Sequence, residues 1–433
     1  MPTQSPAREE PHLTFVERLR EIRTGFERPF WVANISEIFE RLSYYAVFAA
    51  LVRYLNETLQ FPAARASSLG GIFGASVWVM AIFGGAVADR IGFRRALSVA
   101  YLILSGAYFL VGSIGAPWLA PLRNALPLTL LVGVILFLPA LGVALVKPSV
   151  VGTTARASSE KVRSIGYSIY YTMVNIGSFL GPLLAGWVHE HLRVESVFRL
   201  AACSVFLMFF GVLIFFHEPR RAADKPAPTL GEVTRNFMTV VGNGRFVLFL
   251  LIFTGYWIVF WQQYIMLGLF IHKYVSASAN TEYILTTDPI IVITCTVALN
   301  AATRRMRAFT AVVLGTLITA LGWGVLALWP TVIGAIVALA VVATGEITQQ
   351  PRYYEYISRL APAEEQGTYM GFAFLPIGIG SLIAGWFGGR LFDHFGDVGH
   401  QPMHMWWPVV AVGVVTAGLL WIYDRVVGRQ VGR

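Results

Sequence analysis

Glu37, Glu40 and Arg41 lie within four residues of one another inside a long apolar stretch. Ionisable groups in hydrocarbon are costly, so they normally face a cavity and act on something there. On a helix, Glu37, Arg41, Tyr44, Tyr45 and Phe48 fall at i, i+4, i+7, i+8 and i+11, on one face, and Glu40 flanks it. Glu37 and Arg41 can pair along the helix. Glu40 then competes for the same guanidinium. Such competition leaves a carboxylate free to take up and release a proton, as a proton-coupled carrier requires. Two acids and a base in one turn exceed what a packing lattice of ion pairs needs.

Two further charges are placed deep in apolar segments, Lys147 (before Pro148) and Glu346 (after Thr344-Gly345). A lone lysine in lipid needs a partner. A Lys147–Glu346 bridge is expected across the floor of a central cavity in one conformation and lost in the other. Tyr171 and Asn175 are four residues apart on a third segment. Their hydroxyl and amide suit hydrogen bonding to a small polar ligand.

The elements that must hold these groups are membrane helices. The chain has 433 residues, 56% hydrophobic and only 13% charged, with mean hydropathy +0.62; soluble proteins carry about 25% charged residues. Apolar stretches predict about twelve spans, near 30–55, 67–88, 95–114, 127–152, 165–188, 195–217, 245–271, 287–303, 308–329, 331–356, 367–391 and 405–423. The fold class is therefore an all-α polytopic membrane protein. Residues 1–28 read as a polar tail without a cleavable signal, and 425–433 as a second tail. Residues 29–217 and 245–424 are two six-helix bundles joined by the Pro- and charge-rich linker 218–244, with a short surface helix near Leu230–Val241.

Alternate loops carry the cations. One set holds Arg90, Arg94 and Arg95; Arg156, Lys161 and Arg163; and Arg304, Arg305 and Arg307, whereas the other has single cations such as Arg65 and Lys273. The basic side is expected to be cytoplasmic, with both termini there and the chain in a plasma (bacterial inner) membrane. Trp118, Trp329, Trp406 and Trp407 are expected in the opposite interfacial belt. The net charge of +9 thus reflects membrane topology and not a nucleic-acid surface. Cys203 and Cys295 fall in spans and read as small packing residues. No nucleotide-binding loop, metal cluster or nucleophile–base constellation is evident. An enzyme, a metal site and an ATP-driven pump are thereby disfavoured, and no cofactor beyond coupling protons is expected. None of the 8 histidines lies mid-span, which leaves carboxylates to carry the proton.

After the second span comes Gly84-Gly85-Ala86-Val87-Ala88-Asp89-Arg90-Ile91-Gly92-Phe93-Arg94-Arg95. Gly85, Asp89, Arg90, Arg94 and Arg95 resemble the signature loop of the major facilitator superfamily. Asp89 is expected to cap the next helix or to pair with a helix end across the two halves. Other segments resemble the proton-dependent oligopeptide transporter (peptide transporter) family within it. The first-helix pattern stands as Glu37, Glu40, Arg41, Leu42, Tyr44 and Tyr45, with Leu42 in place of a phenylalanine. Lys147-Pro148, the stretch Gly166 to Gly177 and Gly345-Glu346 match further family segments. The resemblance implies alternating access between two bundles and inward symport of di- and tripeptides with protons. It implies that Glu37, Glu40, Arg41 and Glu346 couple protons. It also implies that Tyr45, Trp78, Lys147, Tyr171, Asn175, Trp261, Gln262 and Glu346 meet the substrate, with Lys147 and Glu346 at its carboxylate and amino ends.

The chain departs from that pattern at informative places. Phe48 stands where the family has a second arginine, and Trp261 where the seventh helix has an acid. An outer gate built from Phe48 and Trp261 as an aromatic closure is expected instead, with Lys147 and Glu346 gating the inner side. Asp288-Pro289 opens the eighth helix where the family tends to have Asn-Pro. The two extra helices of many bacterial members are absent, and a monomer is expected. One proton moved down about 100 mV and one pH unit supplies roughly 2.3 plus 1.4 kcal/mol, enough for accumulation of several hundred-fold. Two alternatives remain open on the residues: proton-linked export of amphipathic drugs, and a membrane receptor or scaffold that binds without turnover.

Overall fold

The computed structural model describes residues 24–219, 230–360 and 366–427. The first 23 residues, residues 220–229 of the linker, residues 361–365 and the last six residues lie outside that set. Twelve long helical segments follow one another. They are α1 (Arg28–Arg53), α2 (Ala63–Ile91), α3 (Phe93–Val111), α4 (Leu128–Arg156), α5 (Arg163–His191) and α6 (Glu195–Phe215). After the linker come α7 (Gly244–Ile265), α8 (Thr281–Thr303), α9 (Ala308–Leu328), α10 (Val332–Leu360), α11 (Leu375–Leu391) and α12 (Trp406–Val426). Ten of the described helices are long and apolar enough to cross a membrane. The other two long ones are α1 and α5, which carry the acid–base set and the tyrosine–asparagine face. Their polarity, which disqualifies them by composition, is their contribution to the interior.

Helix pairing repeats. In the first six, α1 packs on α5 and α6, α2 on α4, and α3 on α4 and α6. In the second six, α7 packs on α11 and α12, α8 on α10, and α9 on α10 and α12, which is the same pattern moved by six helices. The molecule is thus two six-helix bundles around a central cavity, joined mainly where α2 meets α11 and α5 meets α8. Small residues make the first of these contacts. A Cβ on Gly71 would lie 2.6 Å from the Ser381 carbonyl and 2.8 Å from the Gly385 Cα, so the two backbones touch with no room for a side chain. The short amphipathic helix Leu230–Val241 lies within the linker, where the sequence placed it.

Three helices are interrupted at the depth of the cavity. α7 breaks at Trp261, α8 breaks at Thr286 ahead of Pro289, and a break at Ala373–Phe374 precedes α11. Broken helices are tolerated in a bilayer where they line a cavity, and they expose backbone and first-turn side chains to it. All three lie in the second bundle.

The signature loop is built differently from the expectation. Asp89 neither caps α3 nor reaches the other bundle. It forms a 2.6 Å ion pair with Arg156 at the end of α4, within its own half. The α3 cap is Glu218, whose carboxylate accepts from the Phe93 and Arg94 amides at 2.8 and 2.9 Å, as a helix N-terminus favours. Arg94 donates to the Leu213 carbonyl at 2.7 Å, while Arg90 and Arg95 are exposed. The glycine that the helix contact demands is Gly84 and not Gly85. A Cβ on Gly84 would sit 1.7 Å from the Ala144 carbonyl oxygen, whereas one on Gly85 meets nothing closer than 3.6 Å. Trp118, Trp329 and Trp407 are exposed as a belt requires, but Trp406 is fully buried and stacks on Trp323 at 4.7 Å.

Candidate functional site

α1 carries the acid–base set through the middle of the first bundle. Glu37 and Glu40 are fully buried and Arg41 is 1% exposed. Arg41 grips Glu40 with two hydrogen bonds, Nε to Oε2 at 2.5 Å and Nη2 to Oε1 at 2.7 Å. Glu37 is the looser partner, 3.6 Å from Arg41 Nε, with neither carboxylate oxygen hydrogen-bonded. The two acids thus compete for one guanidinium and Glu40 holds it. Tyr44 offers its ring face to Arg41 at 4.9 Å, which holds the cation without supplying a counter-charge.

Lys147 arrives from α4. Its ammonium lies 3.9 Å from the centre of the Trp78 ring and 5.9 Å from that of Phe374. Electrostatically it faces Glu37, Glu40 and Arg41 on the other flank. Lys147, Trp78, Tyr170, Tyr171, Gln350 and Tyr354 line a cavity of about 600 Å³ between the bundles. Tyr171 is 49% exposed there, and the Asn175 amide donates to the Tyr171 carbonyl at 2.8 Å.

The Lys147–Glu346 bridge is not formed in this conformation. Glu346 points instead into a smaller chamber of about 110 Å³ that adjoins the first through Trp78, Gln350 and Tyr354. There its neighbour is Asp288 from the first turn of the Thr287–Thr303 helix. Tyr45, Asn175 and Trp261 border the same chamber. Gln262 does not. It is fully buried, and its amide donates to the Ile258 and Ala384 carbonyls at 3.0 and 3.4 Å, bracing α7 on α11. The next residue, Gln263, is the one turned toward Asp288. Each residue of a helix is rotated about 100° from the last, so a one-residue error in register changes the face.

At the end of the bundle away from the termini, Phe48 and Trp261 do meet, with ring centres 5.3 Å apart. Phe48 also stacks on Tyr264 at 5.0 Å, and Phe73 closes from α2 at 5.2 Å. Trp261 is pinned by its indole N–H on the Ile377 carbonyl at 3.0 Å. The expected contact between Phe48 and Trp261 is present, as part of an aromatic plug between the bundles. Charged groups lie beyond it. Arg53, further along α1, lies 3.4 Å from Glu282 at the start of α8 and donates to Thr281 Oγ1 at 3.1 Å. Glu282 is fully buried and also contacts His189 Nδ1 of α5 at 3.0 Å. Glu57 binds Arg53 from the other side at 3.0 Å. The sequence pattern did not single out Arg53 or Glu282, and Asp288 stood out only as a departure at the start of the eighth helix. Arg53 stood inside an apolar run and was a legible signal. Glu282 was hidden because α8 begins at Thr281, six residues before its expected start.

Residues 34–385 match the sequence profile of the Major Facilitator Superfamily. A di-/tripeptide transporter of Lactococcus lactis subsp. lactis is 31% identical over 239 residues, covering 52% of this chain and 44% of that protein, so the match spans less than half of that relative's length. The multidrug resistance protein MdtH of Klebsiella pneumoniae is 26% identical over 343 residues, 79% of this chain and 81% of its own. Among solved structures, a POT family transporter in complex with 5-aminolevulinic acid superposes with a TM-score of 0.76 at 16% identity, covering 94% of this chain and 97% of its own. The POT family transporter PepTSo superposes with a TM-score of 0.72 at 17% identity, covering 92% and 98%. By its profile match and its paired bundles, the chain belongs to the major facilitator superfamily of secondary transporters, and its fold is that of the POT transporters.

Proposed function

We propose that the protein is a proton-coupled symporter that imports short peptides or peptide-like zwitterions, with both termini in the cytoplasm. One observation carries this reading. Lys147 stands between the Glu37–Glu40–Arg41 set and the open cavity, so one ammonium serves both. A substrate carboxylate entering the cavity and the Glu37 carboxylate compete for the same positive charge. When the substrate takes Lys147, Glu37 loses a counter-charge and holds a proton more readily. Proton and substrate then favour each other, which is the thermodynamic content of symport. Glu346 receives the substrate's amino group at the other end. The aromatic plug and the Arg53–Glu282 pair hold the far end shut while the cavity faces the termini, and a Lys147–Glu346 bridge closes the near side after substrate leaves.

Reconstituted proteoliposomes test this. An inward proton gradient should drive accumulation of a labelled dipeptide, and Glu37→Gln should lose gradient-driven uptake while keeping counterflow exchange. Wild-type gradient-driven rates in Glu37→Gln would remove Glu37 from coupling, and absence of any peptide flux in the wild type would end the peptide reading. Proton-linked export of amphipathic compounds is the second reading, favoured by the aromatic walls at Trp78, Phe374 and Tyr354. It expects Lys147→Ala to leave transport of organic cations intact.

A further inference from the structure

The proposed cycle gives Glu346 a task and leaves Asp288 without one. Asp288 is 5% exposed, and its Oδ1 is buried without a hydrogen-bond partner. It lines the 110 Å³ chamber beside Glu346, walled by Tyr45, Trp257, Phe260, Trp261 and Tyr264. A first-turn aspartate is often simply a helix cap. A cap uses its oxygens on backbone amides, and the unpartnered Oδ1 is not so used.

The charges of the central cavities do not balance. Around Lys147, two acids (Glu37, Glu40) face two bases (Arg41, Lys147). Among the described residues lining the chamber, the ionisable carboxyls Asp288 and Glu346 face no Lys, Arg or His. Two carboxyl groups held together away from water require a proton or a cation between them. Aromatic faces around paired carboxylates are the setting in which proteins bind ammonium and guanidinium groups. The chamber has room for such a head and the last carbons of its stem, since a water molecule takes about 30 Å³.

We propose that Asp288 and Glu346 together form a cation subsite, so that the carrier favours substrates bearing a positive group beyond that of a simple zwitterion, such as lysine- or arginine-containing dipeptides. This rests on the reading of Lys147 as the carboxylate partner. Asp288 is then a specificity-determining residue. It adds the second negative charge that a substrate with two cationic groups requires, and a neutral side chain of the same length meets an unpaired carboxylate instead.

Equilibrium binding to the purified full-length protein tests the proposal with three probes: alanyl-lysine, alanyl-norleucine of matched length, and a five-carbon diamine that has no carboxylate. Wild type should bind alanyl-lysine about tenfold or more tighter than alanyl-norleucine, the scale of a buried charge-assisted hydrogen bond. Asp288→Asn should abolish that ratio while leaving alanyl-norleucine within about twofold. If Asp288→Asn lowers the unfolding midpoint, Asp288→Ser carries the same comparison of ratios. Equal affinity for both dipeptides in the wild type overturns the subsite and leaves the peptide carrier standing. Asp288-dependent binding of the diamine with no dipeptide binding keeps the subsite and ends the peptide reading. Equal loss of both dipeptides in a well-folded Asp288→Asn, or no binding of any cationic probe, overturns the proposal.

Discussion

Arg53→Met should unlatch the end of the molecule away from its termini. In the present conformation the Arg53 guanidinium is buried between the bundles, 3.4 Å from a Glu282 carboxylate that has no exposure of its own. At an effective dielectric near 20, two charges at that distance attract by about 5 kcal/mol. Desolvation offsets much of this. Removing one member of a buried pair leaves the other uncompensated, at about 3–5 kcal/mol. His189 still contacts Glu282 at 3.0 Å, so the lower end applies. The penalty falls on the sealed state, because both groups meet water once the bundles part there. A shift of about 3 kcal/mol is roughly 150-fold in the ratio of sealed to open molecules. The assay is thiol labelling of Ser178→Cys, which borders the central chamber, in a background with Cys203 and Cys295 replaced. A membrane-impermeant maleimide is applied only from the face opposite the termini. Arg53→Met should raise the labelling rate by about two orders of magnitude, and Arg53→Met with Glu282→Leu should raise it less, since the fully buried orphan carboxylate is then gone and Glu57 is partly exposed. An unchanged rate in a folded Arg53→Met, or additive effects in the double variant, would refute the latch.

Three further outcomes are expected. Lys147→Ala should weaken binding of free-acid peptides by tenfold or more, the scale of a lost charge-assisted bond, and leave their methyl esters nearly unaffected; equal losses in a competition assay would count against the carboxylate role. Phe48→Arg and Trp261→Glu together should be tolerated better than either alone, because the rings they replace are 5.3 Å apart; transport rates showing additive damage would mean the new charges do not meet. Gly84→Ala should destabilise the protein by about 3 kcal/mol or more, read as the thermal midpoint in detergent, because its Cβ would meet a backbone carbonyl that cannot move aside. Gly85→Ala, with 3.6 Å of clearance, should be close to neutral and serves as the control.

Much of the architecture was legible in the chain because the bilayer imposes it. Apolar length and alternating loop charge mark out twelve helices and their division into two halves, since lipid satisfies no backbone polar group and leaves the helix as the form available to such segments. Local chemistry was legible too. Glu37, Glu40 and Arg41 are neighbours on one helix, so their competition follows from spacing alone, and the structure only ranks the two acids. The partnerships between helices were not legible. The Lys147–Glu346 bridge, expected in one conformation, is not formed in this one, where Lys147 lies on Trp78 and Glu346 beside Asp288. Asp89 was expected to cap the next helix or to pair across the halves, and it pairs with Arg156 in its own half. Gln262 was expected in the pocket and braces α7 on α11, and Gln263 is the one turned toward Asp288. Arg53 and Glu282, to which the pattern did not point, pair across the halves. Pairing of this kind depends on helix rotation and relative height. A single residue turns a side chain by about 100° and raises it by 1.5 Å, less than a hydropathy pattern resolves. Only the packed bundles set those values, because backbone contacts such as Gly71 on Gly385 and Gly84 on Ala144 allow each helix one depth and one facing.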